Sequence, residues 1–141
     1  VVVELFTAQG CAGCPAANQV VEQIAEEPGV IALTWPVDYW DYLGWRDTLA
    51  RPEFTERQQA YRQALRLRAM ATPQVIIDGQ RPALANQPDA LLRAVQEEAE
   101  RRVFPPEVEF RDTGSHVGVG SGQAPAGGAE LLAVVFAPGP Q

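Results

Sequence analysis

The chain has 141 residues, 46 % of them hydrophobic, and carries a formal net charge of −7 with an isoelectric point near 4.6. This length and composition suit one well-packed soluble domain with an appendage, and the acidic balance argues against nucleic acid as a partner. No run reaches the roughly 18 apolar residues that span a bilayer, so no membrane insertion is expected. All 11 basic residues are arginine, which excludes a catalytic lysine.

The two cysteines lie between the first two predicted elements, a strand over residues 1–7 and a helix from Pro15. The strand is rich in β-branched and aromatic residues, and the helix shows apolar residues at helical spacing, namely Ala17, Val20, Val21 and Ile24. Cys11 and Cys14 therefore form a C-x-x-C pair on a strand-to-helix turn. Unpaired amides and the dipole of a helix N-terminus favour an anion there, so the thiolate of Cys11 should be stabilised.

Three structural roles compete with redox chemistry for this pair. The cysteines could be small buried hydrophobic residues, or they could form a permanent disulfide, although closing so short a loop stabilises a fold little. A zinc site needs four ligands, and the one histidine, His116, lies in a different part of the chain. Thiol–disulfide exchange is the favoured interpretation, and neither a metal nor another cofactor is expected.

A second buried strand is predicted over residues 30–35, after the Pro28-Gly29 turn. Strand, helix and strand in this order form a βαβ unit with parallel strands and a right-handed crossover. Open α/β sheets carry their sites at the carboxyl ends of such strands, so the cysteines occupy the expected edge.

Residues 36–47 combine two of the three tryptophans with two of the three tyrosines in a loop-like stretch. Such a cluster is typical of a core or an interface, and it forms either a lid over the domain or a wall that contacts substrate. Tyr39 and Trp40 are the candidates for substrate contact. The three aspartates of the stretch lack the spacing of a calcium loop and fit capping of the next turns equally well.

A helix is predicted from Pro52 to about residue 69, with an apolar stripe of Phe54, Tyr61, Ala64 and Leu65 and a solvated arginine face that includes Arg57. Gln58 interrupts the stripe and is interpreted as a hydrogen-bonding residue at the helix edge, with a role in lining a site as the alternative.

A strand over residues 72–81 is then predicted, with Pro73 at its start and an Asp78-Gly79 hairpin turn at its end. The next helix covers residues 88–103 and carries Leu91, Leu92, Val95 and Ala99 on its apolar side.

The composition changes after residue 103. Short strands are predicted at residues 107–110 and 117–119, followed by a glycine-rich loop and a buried strand at residues 131–137. We expect an α/β domain over residues 1–103 and a partial β-rich module over residues 104–141. His116 falls in this module and is expected on the surface.

The order of these elements resembles the thioredoxin fold, a mixed sheet flanked by helices, here with an aromatic and helical insertion before the Thr-Pro strand and a β-rich appendage. Longer strings resemble a narrower bacterial secreted or periplasmic family, domain-of-unknown-function family one-two-two-three. They are Glu4-Leu5-Phe6-Thr7, Gln9-Gly10-Cys11, Cys14-Pro15, the run from Val37 to Trp45, and Thr72-Pro73-Gln74. The resemblance covers about residues 1–103. The tail resembles the start of the family's C-terminal region, which implies that the chain is cut short.

The resemblance to thioredoxins implies that Cys11 attacks, that Cys14 resolves, and that Pro73 is a cis-proline facing them. An extended substrate segment could then pair beside Thr72 and Pro73. Thioredoxins usually have tryptophan at the position of Gly10 and a buried acid at that of Leu5. Glu4 is one position away and is expected on the other strand face, so no proton acceptor is predicted beside the pair.

The sequence therefore predicts a thiol–disulfide oxidoreductase without a cofactor, whose partner is a protein or small thiol that carries a thiol or disulfide. By resemblance its location is periplasmic or secreted. The alternative is a non-catalytic module that binds a peptide or a soft metal such as Cu(I). A third interpretation is a scaffold that assembles through its β-rich tail. The substrate, the direction of electron flow and the oligomeric state stay open.

Overall fold

The structure, a computed structural model, describes residues 1–101, 107–114, 116–122 and 125–138. The chain divides into two compact units, Val1–Glu100 and a second unit that begins at Arg101. The predicted boundary between residues 103 and 104 lies outside the described residues. Within the described part, no helix is both long and apolar enough to cross a bilayer.

The first unit is a four-stranded mixed sheet with three helices. Its strands are ordered β2-β1-β3-β4, with β1 parallel to β2 and antiparallel to β3, and β3 antiparallel to β4. This architecture is thioredoxin-like, and the predicted parallel pairing of the first two strands is confirmed. The elements in chain order are β1 (Val2–Thr7), α1 (Cys14–Ala25), β2 (Ile31–Pro36), α2 (Pro52–Ala64), β3 (Gln74–Ile77), β4 (Arg81–Ala83) and α3 (Pro88–Arg101).

The two faces of the central strands are chemically different. One face joins the apolar core, to which α1 and α3 contribute, and its strand residues are Val3, Leu5, Val75 and Ile77. Because side chains alternate along a strand, the neighbouring residues of β1 and β3 point to the opposite face. There Glu4, Phe6 and Gln74 contact side chains of α2. Helix α2 therefore covers a partly polar face.

The hairpin between β3 and β4 forms at the predicted Asp-Gly turn. Asp78 and Gly79 both have positive φ, 49° and 69°, as a two-residue type I′ turn requires. The turn carries the chain from the centre of the sheet to its edge strand.

The second strand is not buried as predicted, since β2 is exposed or half-buried along most of its length. The reason is its position at the edge of the sheet, where β1 pairs with one side of the strand and no described strand neighbours the other side. Trp35 is the exception, because it packs against Phe54 of α2.

Helix α2 ends at Ala64, five residues before the predicted end. Arg66 adopts a left-handed φ of 54°, and its amide donates to the Gln63 carbonyl while the Leu67 amide donates to the Arg62 carbonyl. This pair of hydrogen bonds is the Schellman motif that closes a helix. The motif uses arginine where glycine is usual, which explains why the sequence did not predict the end.

The buried faces of α2 and α3 also differ from the predicted stripes at four positions. Arg57 is half-buried rather than solvated, because it pairs with Glu4. Ala64 and Ala99 are exposed, whereas Glu98 is buried on α3 and accepts hydrogen bonds from Gln80 and Arg81. Long-range partners for charged residues therefore override the simple apolar stripe.

The second unit contains the antiparallel pair β5 (Val108–Arg111) and β6 (His116–Val119). His116 is exposed and lies beside Asp112, in agreement with a surface role. The prediction of a buried strand at residues 131–137 is wrong, since these residues form no strand and Val135 is 99 % exposed. Within the described residues, the β5–β6 sheet has only two strands, and residues 131–137 pair with neither of them. A strand is stable only when it pairs with a neighbour.

Candidate functional site

The cysteine pair lies on a short loop between β1 and α1. β1 ends at Thr7, and α1 begins at Cys14, which is followed by Pro15 in the first turn. Proline is favoured there because the first helical amides have no intrahelical acceptor. The Cys11 amide donates to the Ala8 carbonyl and the Cys14 amide to the Cys11 carbonyl, so the loop is a tight turn.

Cys11 and Cys14 are joined as a disulfide, with their Cα atoms 5.4 Å apart. The two residues are 3 % and 1 % exposed, but the loop residues around them are exposed, namely Gly10, Ala12, Gly13 and Pro15. The disulfide therefore lies just beneath the surface of the loop. Of the pair, Cys14 is the first residue of the helix, while Cys11 precedes the helix by three residues.

The segment before β3 lies against this disulfide. The Cys11 Sγ is 3.6 Å from the Thr72 carbonyl oxygen, and a Cβ built on Gly13 would lie 3.6 Å from the Pro73 Cδ. The Thr72–Pro73 peptide bond is cis. Register explains the proximity, because Gln74 pairs with Phe6 near the end of β1. Strands β1 and β3 therefore deliver the two loops to the same edge.

Tyr39 and Trp40, the candidates from the aromatic stretch, reach the same place. The Tyr39 hydroxyl hydrogen-bonds the Thr72 hydroxyl and lies 3.2 Å from the Gln58 Oε1. The Trp40 Cβ would lie 3.6 Å from a Cβ built on Gly10, beside Cys11. Among the described residues, the buried Trp40 Nε1 has no hydrogen-bond acceptor. The structure thus brings together the six site residues that were predicted from the sequence, namely Cys11, Cys14, Tyr39, Trp40, Thr72 and Pro73.

The aspartates of the aromatic stretch hold that stretch in place. Asp47 accepts hydrogen bonds from the Gln9 and Leu49 amides, each at 2.9 Å. Asp38 accepts from the Thr55 hydroxyl at 2.6 Å, and Asp41 accepts from the Asp47 amide. Within the described ranges, no group of three or more histidine, cysteine, aspartate or glutamate residues could hold a metal ion. These contacts favour the capping interpretation.

Gln58 is a buried residue at this site whose role the sequence only partly indicated. Within α2, all of which is described, it is the one buried residue, with no exposed surface. Its Nε2 donates to the Ala71 carbonyl at 2.7 Å and to the Gln74 Oε1 at 2.9 Å. The signal in the sequence was a polar residue on an apolar stripe, but its partners could not be read from that pattern.

Glu4 forms a separate buried cluster on the α2 side of β1. Its carboxylate accepts from the Trp35 Nε1 at 2.8 Å, from two nitrogens of Arg57 at 2.6 and 3.1 Å, and from the Tyr61 hydroxyl. Burial, and then the hydrogen bond to Glu4, raises the pKa of Tyr61 to about 12. The hydrogen bond to Glu4 raises the pKa of Arg57 above its ordinary value. The carboxylate is thus fully occupied by donors.

A shallow, mainly apolar groove of about 160 Å³ borders the Thr72–Pro73 segment. It runs from this segment to the edge strand β4 and is lined by Ala71, Pro73, Gln74, Pro82, Ala83 and Leu84. Its apolar walls suit an aliphatic or aromatic side chain rather than a charged one.

Comparison with a solved structure supports the fold. A crystal structure of a protein from Agrobacterium tumefaciens superposes on 78 % of this chain with a TM-score of 0.69 and 36 % sequence identity. The match covers 51 % of that protein, so this chain spans about half its length.

Comparisons of sequence give a short match and a long one. A protein named Probable Thioredoxin from Archaeoglobus fulgidus is 45 % identical over 38 residues, which are 27 % of this chain and 42 % of that protein. A family model described as "Protein of unknown function (DUF1223)" matches residues 2–141. The chain therefore belongs to the DUF1223 family, as its longer motifs predicted.

Proposed function

We propose that this protein is a thiol–disulfide oxidoreductase whose reactive pair is Cys11 and Cys14. The observation that carries the proposal is the position of the disulfide, 3.6 Å from the Thr72 carbonyl on a thioredoxin-like sheet. A disulfide that closes a loop this short adds little stability, so stapling gives little reason for its presence. A redox role accounts for the presence of the disulfide.

The reaction begins with the reduced protein. The Cys11 thiolate attacks one sulfur of a substrate disulfide, so that a mixed disulfide forms and the other substrate sulfur leaves as a thiolate. The Cys14 thiolate then attacks the Cys11 sulfur, which releases the second substrate sulfur and forms the Cys11–Cys14 disulfide. The substrate gains two electrons and the protein loses them. The reverse sequence oxidises a dithiol.

The residues around the disulfide are assigned to substrate contact. Thr72 presents its carbonyl beside the Cys11 sulfur, Pro73 presents its ring beside Gly13, and Tyr39 and Trp40 form the neighbouring wall. The apolar groove from Pro73 to Leu84 borders the Thr72–Pro73 segment and has room for a side chain of the substrate. These features support a protein or peptide partner that carries a thiol or disulfide.

Trapping of a mixed disulfide tests the proposal. Cys14→Ala removes the resolving thiol, so the Cys11 adduct with a peptide disulfide should accumulate and should be released by dithiothreitol. Cys11→Ala is the matched control and should form no adduct. The wild-type protein should also reduce insulin disulfides in the presence of dithiothreitol. Absence of any adduct dependent on Cys11 would refute the proposal.

A second candidate is a module that binds a peptide or a soft metal without turnover. Its support is the burial of both cysteines together with two exposed aromatic residues of the same stretch as Tyr39 and Trp40, namely Tyr42 at 82 % and Trp45 at 65 % exposure. Cu(I) and a peptide would be titrated against the wild type and a variant lacking both cysteines. Tight binding dependent on the thiols, without trapped adducts, would favour this candidate over the first.

A periplasmic or secreted location is part of the proposal. Its support is the family resemblance and the small number of oxidisable sulfur residues, two cysteines and one methionine. Fractionation of cells that produce the natural protein, with the redox state of the pair trapped by alkylation, would test it.

A further inference from the structure

Gln58 connects α2 to both sides of the Thr72–Pro73 segment. Its Nε2 donates to the Ala71 carbonyl at 2.7 Å, one residue before Thr72, and to the Gln74 Oε1 at 2.9 Å, one residue after Pro73. Its Oε1 lies 3.2 Å from the Tyr39 hydroxyl, which in turn contacts the Thr72 hydroxyl. One buried amide thus brackets the dipeptide that faces Cys11.

The contacts fix the orientation of this amide. The Ala71 carbonyl can only accept a hydrogen bond, so it requires the NH₂ group of Gln58. The Gln58 Oε1 is then left to accept from the Tyr39 hydroxyl, and Tyr39 can accept from Thr72. A reversed amide would place its oxygen against the Ala71 carbonyl oxygen and remove the donor that this carbonyl has in Gln58. The network therefore has one satisfied arrangement.

We propose that Gln58 is a positioning residue that holds the Thr72 carbonyl against the Cys11 sulfur and thereby limits the fraction of Cys11 present as thiolate. A carbonyl oxygen accepts a hydrogen bond from a thiol and opposes the negative charge of a thiolate. At 3.6 Å from Sγ, the Thr72 carbonyl offsets part of the effect of the helix N-terminus. The role of Gln58 in catalysis rests on the proposed function, because it acts through Cys11.

The charged groups that border the loop are the same in all variants of the test. Asp47 is hydrogen-bonded to the Gln9 amide, and Asp38 is hydrogen-bonded to the Thr55 hydroxyl on α2. The first turn of α1 contains no acidic residue. A change in Cys11 reactivity on substitution of Gln58 therefore reports the position of the carbonyl rather than the removal of a charge.

The test uses Cys14→Ala as the parent, so that Cys11 is the one thiol, and measures its alkylation by iodoacetamide across pH. At pH values below the midpoint of thiol ionisation, Gln58→Ala should raise the rate by about threefold, equivalent to a shift of about half a pH unit in thiol ionisation. At the alkaline plateau, where the thiol is fully ionised, the rates of parent and variant should converge. A loss of packing that only exposes the thiol would instead raise the rate equally at every pH.

Gln59→Ala is the matched control, since Gln59 is the adjacent residue of the same type and is exposed. Its alkylation profile should equal that of the parent. If Gln58→Ala fails to fold, Tyr39→Phe takes its place, because it removes one hydroxyl from the network and should shift the profile in the same direction. The inference is overturned if the folded variant has the parent profile or a ratio independent of pH.

This measurement needs no turnover, so it separates the two proposals. Suppose that Gln58→Ala shows the expected shift in the pH profile of Cys11 alkylation, but no mixed disulfide is trapped. This result would contradict the oxidoreductase function and support the positioning role. If mixed disulfides are trapped but the alkylation profile of Gln58→Ala equals that of the parent, the oxidoreductase function is supported and the positioning role is contradicted.

Discussion

The two faces of the four-stranded sheet are assembled differently, although β1 and β3 contribute to both. On the core face, Val3, Leu5, Val75 and Ile77 pack with apolar residues of α1 and α3. On the α2 face, Glu4 and Gln74 meet Arg57 and Gln58, two neighbouring residues of one helix. Apolar packing tolerates exchange of similar side chains, whereas buried polar groups require specific partners. The specific face is the one that holds the Thr72–Pro73 segment.

The largest expected difference is in the free energy of unfolding, between one substitution on each face at two adjacent residues of β1. Glu4→Gln leaves the half-buried Arg57 without its counter-charge and should lower the free energy of unfolding by about 3 kcal/mol, near the low end for buried pairs because water reaches Arg57. Leu5→Met preserves volume and should cost about 1 kcal/mol or less. Urea denaturation of both variants measures the difference, and equal losses would contradict it.

A smaller effect should appear at high pH through Tyr61. Its pKa is raised to about 12 in the folded protein, whereas an unfolded tyrosine titrates near 10. The contribution of Tyr61 is therefore complete below pH 10 and is lost as pH rises through 12, because the unfolded chain releases its proton first. Thermal denaturation should show a steeper alkaline loss in the wild type than in Tyr61→Phe. The exposed Tyr42→Phe is the control and should retain the wild-type slope.

The smallest effect concerns the turn between β3 and β4. Gly79 has a φ of 69°, so Gly79→Ala should lower the free energy of unfolding by about 1 kcal/mol. Asparagine adopts the left-handed conformation more readily than alanine, and Gly79→Asn should cost less. The order of the two variants in urea denaturation tests the turn. The same cost for both would point instead to crowding against Tyr61, which lies 3.5 Å from a Cβ built there.

The fold was predictable because its main signals are local. The apolar spacing of α1 and the Asp78-Gly79 turn each specify an element within a few residues, and the order of elements then gives the sheet. The C-x-x-C pair and the Thr-Pro dipeptide were likewise visible as motifs. Residues close in space at the sheet edge could therefore be named before their distances were known.

The failures at β2 and at Arg57 share a physical cause, which is dependence on partners far along the chain. An apolar run does not reveal whether a strand lies at the edge of a sheet, as β2 does. Arg57 is separated by 53 residues from Glu4, and Gln58 by 16 from Gln74. Periodicity records which side of a helix is polar, but not which polar residue has a buried partner. The roles of the site residues stay predictions for the experiments above.

The exposed segment at residues 131–137 has a practical consequence for handling the protein. It contains seven consecutive uncharged, apolar residues, several of them β-branched or aromatic, and it lies outside any strand of the described structure. Such segments readily stack between molecules as intermolecular β-sheet. At high concentration, self-association should therefore begin at this segment, and a single charged residue at Val135 should delay it without disturbing the disulfide.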